Sequence, residues 1–587
     1  MLNYINQVVA SIIIEKYQIS LEPRDISSTY TKSDFDADYT IVVHNLSKLL
    51  KASPLELGNF IGNYLLTKIK EIDSFFVVGG FLNIKMSNFY WIKSLYNNQL
   101  PSNNNPKRIV IEFLSPNTNK PLHLGHIRNV LLGDSLSKIL KYNNNEVIKI
   151  CLYNNRGVHI CQSMLAYKLW NDRITPEEKQ QKPDHFIGDL YVQYHQNLKK
   201  DVESLMQKGL SKEEALKESK LNKQVVDMLN KWEKDDIETV EIWNKLNNWV
   251  YNGFETTLKE LSIEFDIFQY EHELYKLGKE KILENLSKEI VYKKTDGSVA
   301  IDLNESNFDE KILLRADGTS VYITQDIGTI IERYNKYRFD EHIYVVGNEQ
   351  DYHFKVLKEI IRRFGYSFYD KLHHYSYGMI ELPEGKMKSR EGKVVDADDL
   401  IEEMIQTAKE MTLEKGKMNE IEEDEFNKNI KKIALGALKY HIIKVDPRKN
   451  IMFNPQESID FNGNTGPFIQ YTCTRINTLI EKSKLESNKL VIDNYDIEIE
   501  KIERTIIKEI CKFKEVCEES AKTLNPSLIA NYVYNLAKIY NNFYQEIPVL
   551  KEENNIKKNL RVFLSKRTLE TLKTGLYLLG IEVPSRM

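Results

Sequence analysis

One stretch constrains the fold more than any other. Ile109-Val110-Ile111-Glu112-Phe113-Leu114 is a near-continuous apolar run, the pattern of a strand buried on both faces. A loop holding Pro116 and Pro121 follows, and then Leu124, Ile127, Val130, Leu131, Ile139 and Leu140 mark one helix face. Asn143-Asn144-Asn145 ends that helix, and Val147-Ile148-Lys149-Ile150 reads as the next strand. Strand, loop, helix and strand make a βαβ unit, which commits this part of the chain to a parallel α/β sheet. In such sheets ligands bind beyond the carboxyl ends of the strands.

The loop between that strand and helix carries no Gly-x-Gly-x-x-Gly. It ends instead in His123-Leu124-Gly125-His126. A helix N-terminus offers free backbone N–H groups and the positive end of a dipole, which suit a phosphate. His123 and His126 sit three residues apart, so both imidazoles project to one side of the first turn. There they can donate hydrogen bonds to charge developing on a phosphate in flight. Gly125 lets a flat base or ribose lie close to the backbone. Lys120 adds a mobile positive charge. The plainer alternative, two histidines on a surface turn, fits a lone His-x-x-His better than one that follows a buried strand and opens a helix. A second phosphate element is the glycine-bounded basic loop Gly385-Lys386-Met387-Lys388-Ser389-Arg390-Glu391-Gly392-Lys393. Such a loop can close over a triphosphate, although a solvated basic turn reads the same way.

The rest of the chain divides around this unit. Residues 1–100 open with a helical pattern at Leu2, Ile5, Val8, Val9, Ile12 and Ile13 and include the strand-like runs Phe75–Val78 and Phe81–Ile84 about Gly79-Gly80. Pro101 to Pro106 reads as a linker. Residues 107–420 form the strand-and-helix domain, with a charged helical insertion near 170–260. Strands are expected again at His342–Gly347 and His374–Ile380, with a helix between them that stops near Gly365. From 425 to 587 only helical periodicity is found.

Composition removes several classes. The 587 residues carry a net charge of −4, so an RNA partner must be met by local patches and not by overall attraction. Five scattered cysteines with no Cys-x-x-Cys argue against a disulfide framework and a structural thiolate zinc site, and fit a reducing cytosol. The N-terminus lacks the basic region of a secretory leader, and no apolar run reaches the ~18 residues of a membrane span. A cytoplasmic protein without membrane contact is expected.

The stretch Pro116-Asn117-Thr118-Asn119-Lys120-Pro121-Leu122-His123-Leu124-Gly125-His126 resembles the HIGH signature of class I aminoacyl-tRNA synthetases. Its flanks, with Ser115 before it and Ile127-Arg128-Asn129 and Gly133-Asp134 after it, resemble the arginyl family in particular. The basic loop resembles the family's KMSKS loop with a departure. The family's second lysine falls on Ser389, and a lysine occupies the preceding place as Lys388. In arginyl enzymes with an altered loop, the lysine upstream of HIGH is thought to compensate, here Lys120. Three further segments resemble arginyl motifs. Tyr322-Ile323-Thr324-Gln325-Asp326 has Gln325 where the family has Arg. Phe265-Asp266 to Glu271-His272 has His272 where the family has Ser, and Gly347 to Gln350-Asp351-Tyr352-His353-Phe354 matches without departure.

The resemblance implies a Rossmann-type class I catalytic domain with an inserted subdomain, an α+β N-terminal tRNA-binding domain and an all-α C-terminal anticodon-binding domain. It implies arginyl-tRNA synthesis: ATP activates L-arginine to arginyl-adenylate, and the 3′ end of tRNA(Arg) takes the arginyl group. Catalytic duty falls on His123, His126, Lys120, Lys386 and Lys388, and ATP binding on Gly125, His126, Gly347, His353 and Met379. Asn117, Glu271, Tyr322, Asp326 and Gln350 would hold arginine; a guanidinium needs carboxylates and a flat ring. Phe81, Asn83, Gln470, Tyr471, Arg475 and Asn541 would meet tRNA. For the aromatic and acidic residues taken singly, ordinary core or surface duty is the alternative. Mg2+ is expected with ATP, without a structural metal, in a monomer. The ending Leu578 to Met587 resembles the family's, so a complete chain is expected. Other class I synthetases fit less well: there is too little length for a large editing insertion and no cysteine cluster for zinc. A silent RNA-binding paralogue is disfavoured by the intact His123, Gly125, His126 and Lys386.

Overall fold

The structure is a computed structural model. It describes residues 1–31, 35–96, 101, 103, 105–171, 173–381, 395–414, 422–484 and 497–587. The chain forms two compact units. One comprises Met1–Gln99, Ile476–Phe513 and Lys538–Glu570, and the other Leu100–Arg475, Lys514–Ala537 and Thr571–Met587.

The second unit is built on five strands in the order Leu372–Tyr377, Glu341–Gly347, Arg108–Glu112, Glu146–Tyr153, Ile267–Tyr270. Every neighbouring pair is parallel. The apolar run of Arg108–Glu112 is central, and its residues 109–112 are buried, as a strand covered on both faces requires. The connections leave this strand in both directions. The topological switch therefore lies between Arg108–Glu112 and Glu341–Gly347, beneath the start of the helix Leu124–Tyr142.

That helix is buried along most of its length, and its Gly133 is forced by packing. A Cβ there would lie 2.3 Å from Phe113 Cγ. Arg128, also on this helix, is buried and donates to the carbonyls of Met379 (2.8 Å), Pro447 (2.9 Å) and Lys449 (2.7 Å). Between Glu146–Tyr153 and Ile267–Tyr270 run the helices Val158–Trp170, Pro183–Gln207, Lys212–Glu218, Lys220–Glu233 and Ile237–Glu260. Their apolar stripes bury Phe186, Tyr194, Trp243, Val250 and Phe254 against one another.

Two expected elements differ. The strand expected over 374–380 ends at Tyr377, because Gly378 passes against the backbone of Lys449 and leaves no room for continued pairing. Ile380–Glu381 then pairs with Ile451–Met452, a short strand inside the region where only helices were expected. A two-residue strand is too short to interrupt helical periodicity in sequence. Beyond it the described chain is helical: Gly466–Ser483, Lys501–Thr523, Ser527–Glu546 and Asn555–Leu578.

The first unit holds an antiparallel sheet in the order Ser28–Tyr30, Tyr39–Val42, Phe81–Met86, Ile72–Val78. Gly79 and Gly80 turn the last hairpin with φ of +57° and +81°, the left-handed pair that a two-residue turn demands. Buried Asp38 accepts from Met86 N–H (2.6 Å) and Trp91 Nε1–H (3.2 Å) and pairs with Lys508.

Candidate active site

The HIGH-like loop and the helix it opens make the centre of the site. His123 is the N-cap, with φ −138° and ψ 172°. Its Nδ1 accepts the Gly125 N–H at 3.1 Å, and its own N–H is donated to His126 Nδ1 at 3.2 Å. The two rings stack with centroids 3.8 Å apart. This is a capping box built from imidazoles, and it fixes the tautomer. With each Nδ1 accepting, a neutral ring carries its proton on Nε2. Burial, with help from the Lys120 charge, pushes His123 down to about 4. Burial holds His126 well below the ordinary imidazole value, with His123 and Lys120 adding to the effect. Both rings are therefore neutral donors at neutral pH.

The loop before them is held by its neighbour. Thr118 N–H donates to Asn154 O (3.1 Å), and Asn154 N–H donates to Pro116 O (3.0 Å), so Asn117 pairs with Asn154 as a parallel bridge. Gly188 of the helix Pro183–Gln207 packs on this loop; a Cβ there would lie 2.8 Å from Pro121 Cδ. Lys120 beneath that cover is half-buried, and burial lowers the pKa of its ammonium.

The expected arginine residues are brought together in part. Glu271 opens the helix Glu271–Leu286, and Tyr322 opens the helix Tyr322–Tyr337. These helices cross through glycines. A Cβ on Gly278 would lie 1.8 Å from Thr324 O, and one on Gly328 2.3 Å from Gly278 N. The close crossing sets Glu271 beside Gln325, which donates to it along with the Arg156 backbone N–H. Burial raises the Glu271 carboxyl above the usual range despite the Arg156 charge. Asp326 Oδ2 meets His353 Nε2 at 2.6 Å, joining a residue expected at arginine to one expected at ATP. Tyr322 is 79% exposed and Gln350 is also exposed, so neither is packed into this cluster. At the other edge, exposed Met379 faces Gly347: a Cβ on Gly347 would sit 3.9 Å from the Met379 sulfur. Lys386 and Lys388 lie outside the described residues.

Sequence reasoning missed three contributors. Arg156 lies 3.8 Å over the Tyr275 ring and 2.9 Å from Glu233, so the inserted helices reach the Glu271 corner through it. His159, two residues after Gly157 (φ +108°), has a buried Nε2 that meets no hydrogen-bond partner among the described residues. Burial and the Lys120 charge push it down to about 4. Like His123 it sits where a helix opens after a parallel strand, and that placement was a usable signal. Under the site, buried Arg333 pairs with Glu112 and donates to Gln269 Oε1 at 2.8 Å. Nothing in sequence order links those residues.

Of the expected tRNA contacts, Phe81 is exposed, and the Arg475 guanidinium lies 4.7 Å over the Tyr471 ring. Three others, also expected at tRNA, are buried in the fold. Asn83, 3% exposed, accepts from Thr40 Oγ1 (2.8 Å). Gln470, wholly buried, donates to the carbonyls of Lys432 (2.9 Å) and Glu582 (2.7 Å). Asn541 is buried in its helix. Gln470 thus satisfies backbone carbonyls inside the fold.

Two family models match the chain: tRNA synthetases class I (R), catalytic domain, over residues 91–454, and the DALR anticodon binding domain over residues 469–587. An arginine–tRNA ligase of Parabacteroides distasonis is 46% identical over 593 residues, covering 99% of each chain. One of Flavobacterium psychrophilum is 44% identical over 602 residues, again covering 99% of each. In fold, the chain is similar to the arginyl-tRNA synthetase of Thermus thermophilus, with a TM-score of 0.78, 22% identity and 100% of both chains covered.

Proposed function

The chain belongs to the class I tRNA synthetases of the arginyl type, ligases that charge tRNA with arginine, and from that premise we propose how its residues divide the work. The arginine carboxylate attacks the α-phosphorus of ATP, the bond to the β-phosphate breaks, and pyrophosphate leaves. The 3′-terminal hydroxyl of tRNA(Arg) then attacks the arginyl carbonyl and releases AMP. His123 and His126 donate from Nε2 to the phosphate oxygens as charge develops on them. Lys120 supplies positive charge to the phosphates and compensates for the departure in the loop that holds Lys386 and Lys388. Gly125 and Gly347 leave room for the nucleotide, with Met379 against the base and His353 beside it. Asn117 and Gln350 take the amino-acid end of arginine. Asp326, Glu271 and Tyr322 take the guanidinium, Tyr322 by folding over it.

The observation that carries this reading is the buried imidazole capping box: burial keeps both rings neutral, and the Nδ1 bonds leave the Nε2–H groups unspent on the backbone. Magnesium enters with ATP, whose phosphates supply its ligands, and no step is routed through a protein-bound metal. Residues 1–100 and 425–587 hold tRNA, through exposed Phe81 and half-buried Tyr471 and Arg475, and the chemistry belongs to 107–420 with its insertion near 170–260. Five unbridged cysteines fit a reducing compartment, and a cytoplasmic monomer is the proposed form. Among the described residues no helix is long and apolar enough to cross a membrane.

Pyrophosphate exchange, run with each amino acid and with or without tRNA, tests the assignment. Exchange with arginine alone, and only when tRNA is present, is expected. Exchange with another amino acid would overturn it.

A further inference from the structure

His123 is clamped from outside its own loop. Residues 122–124 lie antiparallel to residues 395–397: Leu124 N–H donates to Val395 O (3.1 Å), and Ala397 N–H donates to Leu122 O (3.0 Å). His123 is bridged to Asp396 between those bonds. The clamping segment is anchored in turn. The Asp396 carboxylate accepts from the N–H groups of Asp398 (2.8 Å) and Asp399 (3.3 Å) and so caps the helix Ala397–Glu414. Asp398 accepts from Lys182 Nζ (2.6 Å), His185 Nε2 (3.0 Å) and Thr257 Oγ1 (2.9 Å). His185 Nε2 also lies 3.4 Å from Asp396. Lys182 Nζ further reaches Asp184, which is wholly buried, at 3.2 Å.

Asp184, His185 and Asp398 have the spacing of a metal site. The Lys182 ammonium already supplies the cation between the two carboxylates, so the cluster is an ion-pair lock. Lys182, His185 and Thr257 all belong to the inserted helical segment and its approach, while Asp396 and Asp398 belong to the segment that pairs with His123.

We infer that Lys182 and His185 are positioning residues for the adenylation step: they hold residues 395–398 in place and thereby fix the backbone and ring of His123. The insertion is thus part of the catalytic apparatus. A fixed donor costs no reorganisation as the transition state forms, whereas a loosened one does. The two carboxylates keep the His185 imidazolium charged, raised to about 10. The lock therefore holds across the working pH range.

This inference rests on His123 serving the adenylate chemistry, so His123→Asn is measured in parallel. Arginine-dependent pyrophosphate exchange of the full chain, with tRNA present, is followed for Lys182→Met, Lys182→Arg and His185→Gln, with rates normalised to folded protein by near-UV circular dichroism. For Lys182→Met, kcat is expected to fall about tenfold, with both KM values within about twofold and most of the rate recovered in Lys182→Arg. His185→Gln gives the same split more weakly and serves if Lys182→Met does not fold. Unchanged kcat per folded molecule in both, or a loss confined to KM, overturns the lock. A normal rate in His123→Asn overturns the reading of the HIGH-like loop instead.

Discussion

At the scale of single residues, the site depends on which polar atoms are left unspent. His123 and His126 use Nδ1 on the backbone and keep Nε2. Asp326 uses one oxygen on His353. That pair joins a residue proposed for arginine to one proposed for ATP, which the spacing of Asp326 from Tyr322 did not suggest. Asp326→Asn keeps the shape and removes the charge. Its KM for arginine is expected to rise at least tenfold, since a charged guanidinium contact is lost, while the KM for ATP moves little. Steady-state exchange kinetics measure both. Equal rises would mean that the His353 pair, and not the guanidinium contact, is what the substitution removed.

At the scale of elements, two glycines place the corner proposed for arginine. Gly278 and Gly328 let the helices Glu271–Leu286 and Tyr322–Tyr337 touch backbone to backbone. Glu271 lies seven residues before one crossing point and Asp326 two before the other. A methyl at Gly328 would fall 2.3 Å from Gly278 N, so the helices must part. Gly328→Ala is expected to cost about 1–3 kcal/mol, as overpacking does, and to weaken arginine more than ATP. Denaturant midpoints and the two KM values decide it; wild-type stability would contradict the packing. The helix Leu124–Tyr142 was legible in its apolar face because period and caps are local properties. The glycine crossing was not, because the two glycines lie 50 residues apart in sequence, and no local pattern says that they meet.

For the molecule as a whole, buried imidazoles set a pH dependence. His123 and His159 are each pushed to about 4, and burial also lowers His126 and His342. The unfolded chain protonates these rings below about pH 6.5, whereas the fold refuses the protons until lower pH. Stability therefore falls as pH drops from 7 toward 5. His185 has the opposite sign. Its value is raised to about 10, so the stability it adds is full below about 6.5 and declines as pH rises toward 10. Melting temperatures are expected to peak near neutrality, with the steeper loss on the acid side. In His185→Gln the melting temperature near neutrality is lower, and the decline between pH 7 and 8 is shallower. A flat profile between pH 7 and 5 would contradict the burial of these rings.

Much was fixed by the sequence alone: the buried strand, its loop, the histidine pair and the helix, and through them the parallel sheet and the adenylating chemistry. These follow from neighbours along the chain, where spacing and periodicity carry the information. Tertiary structure alone decided which amides serve inside the fold, as Asn83 and Gln470 do. It also brought Lys182 and His185 of the inserted segment onto Asp398, more than 200 residues away, behind His123. Long-range pairing of this kind depends on how separate elements close-pack, and close packing leaves no periodic trace in the residues that meet.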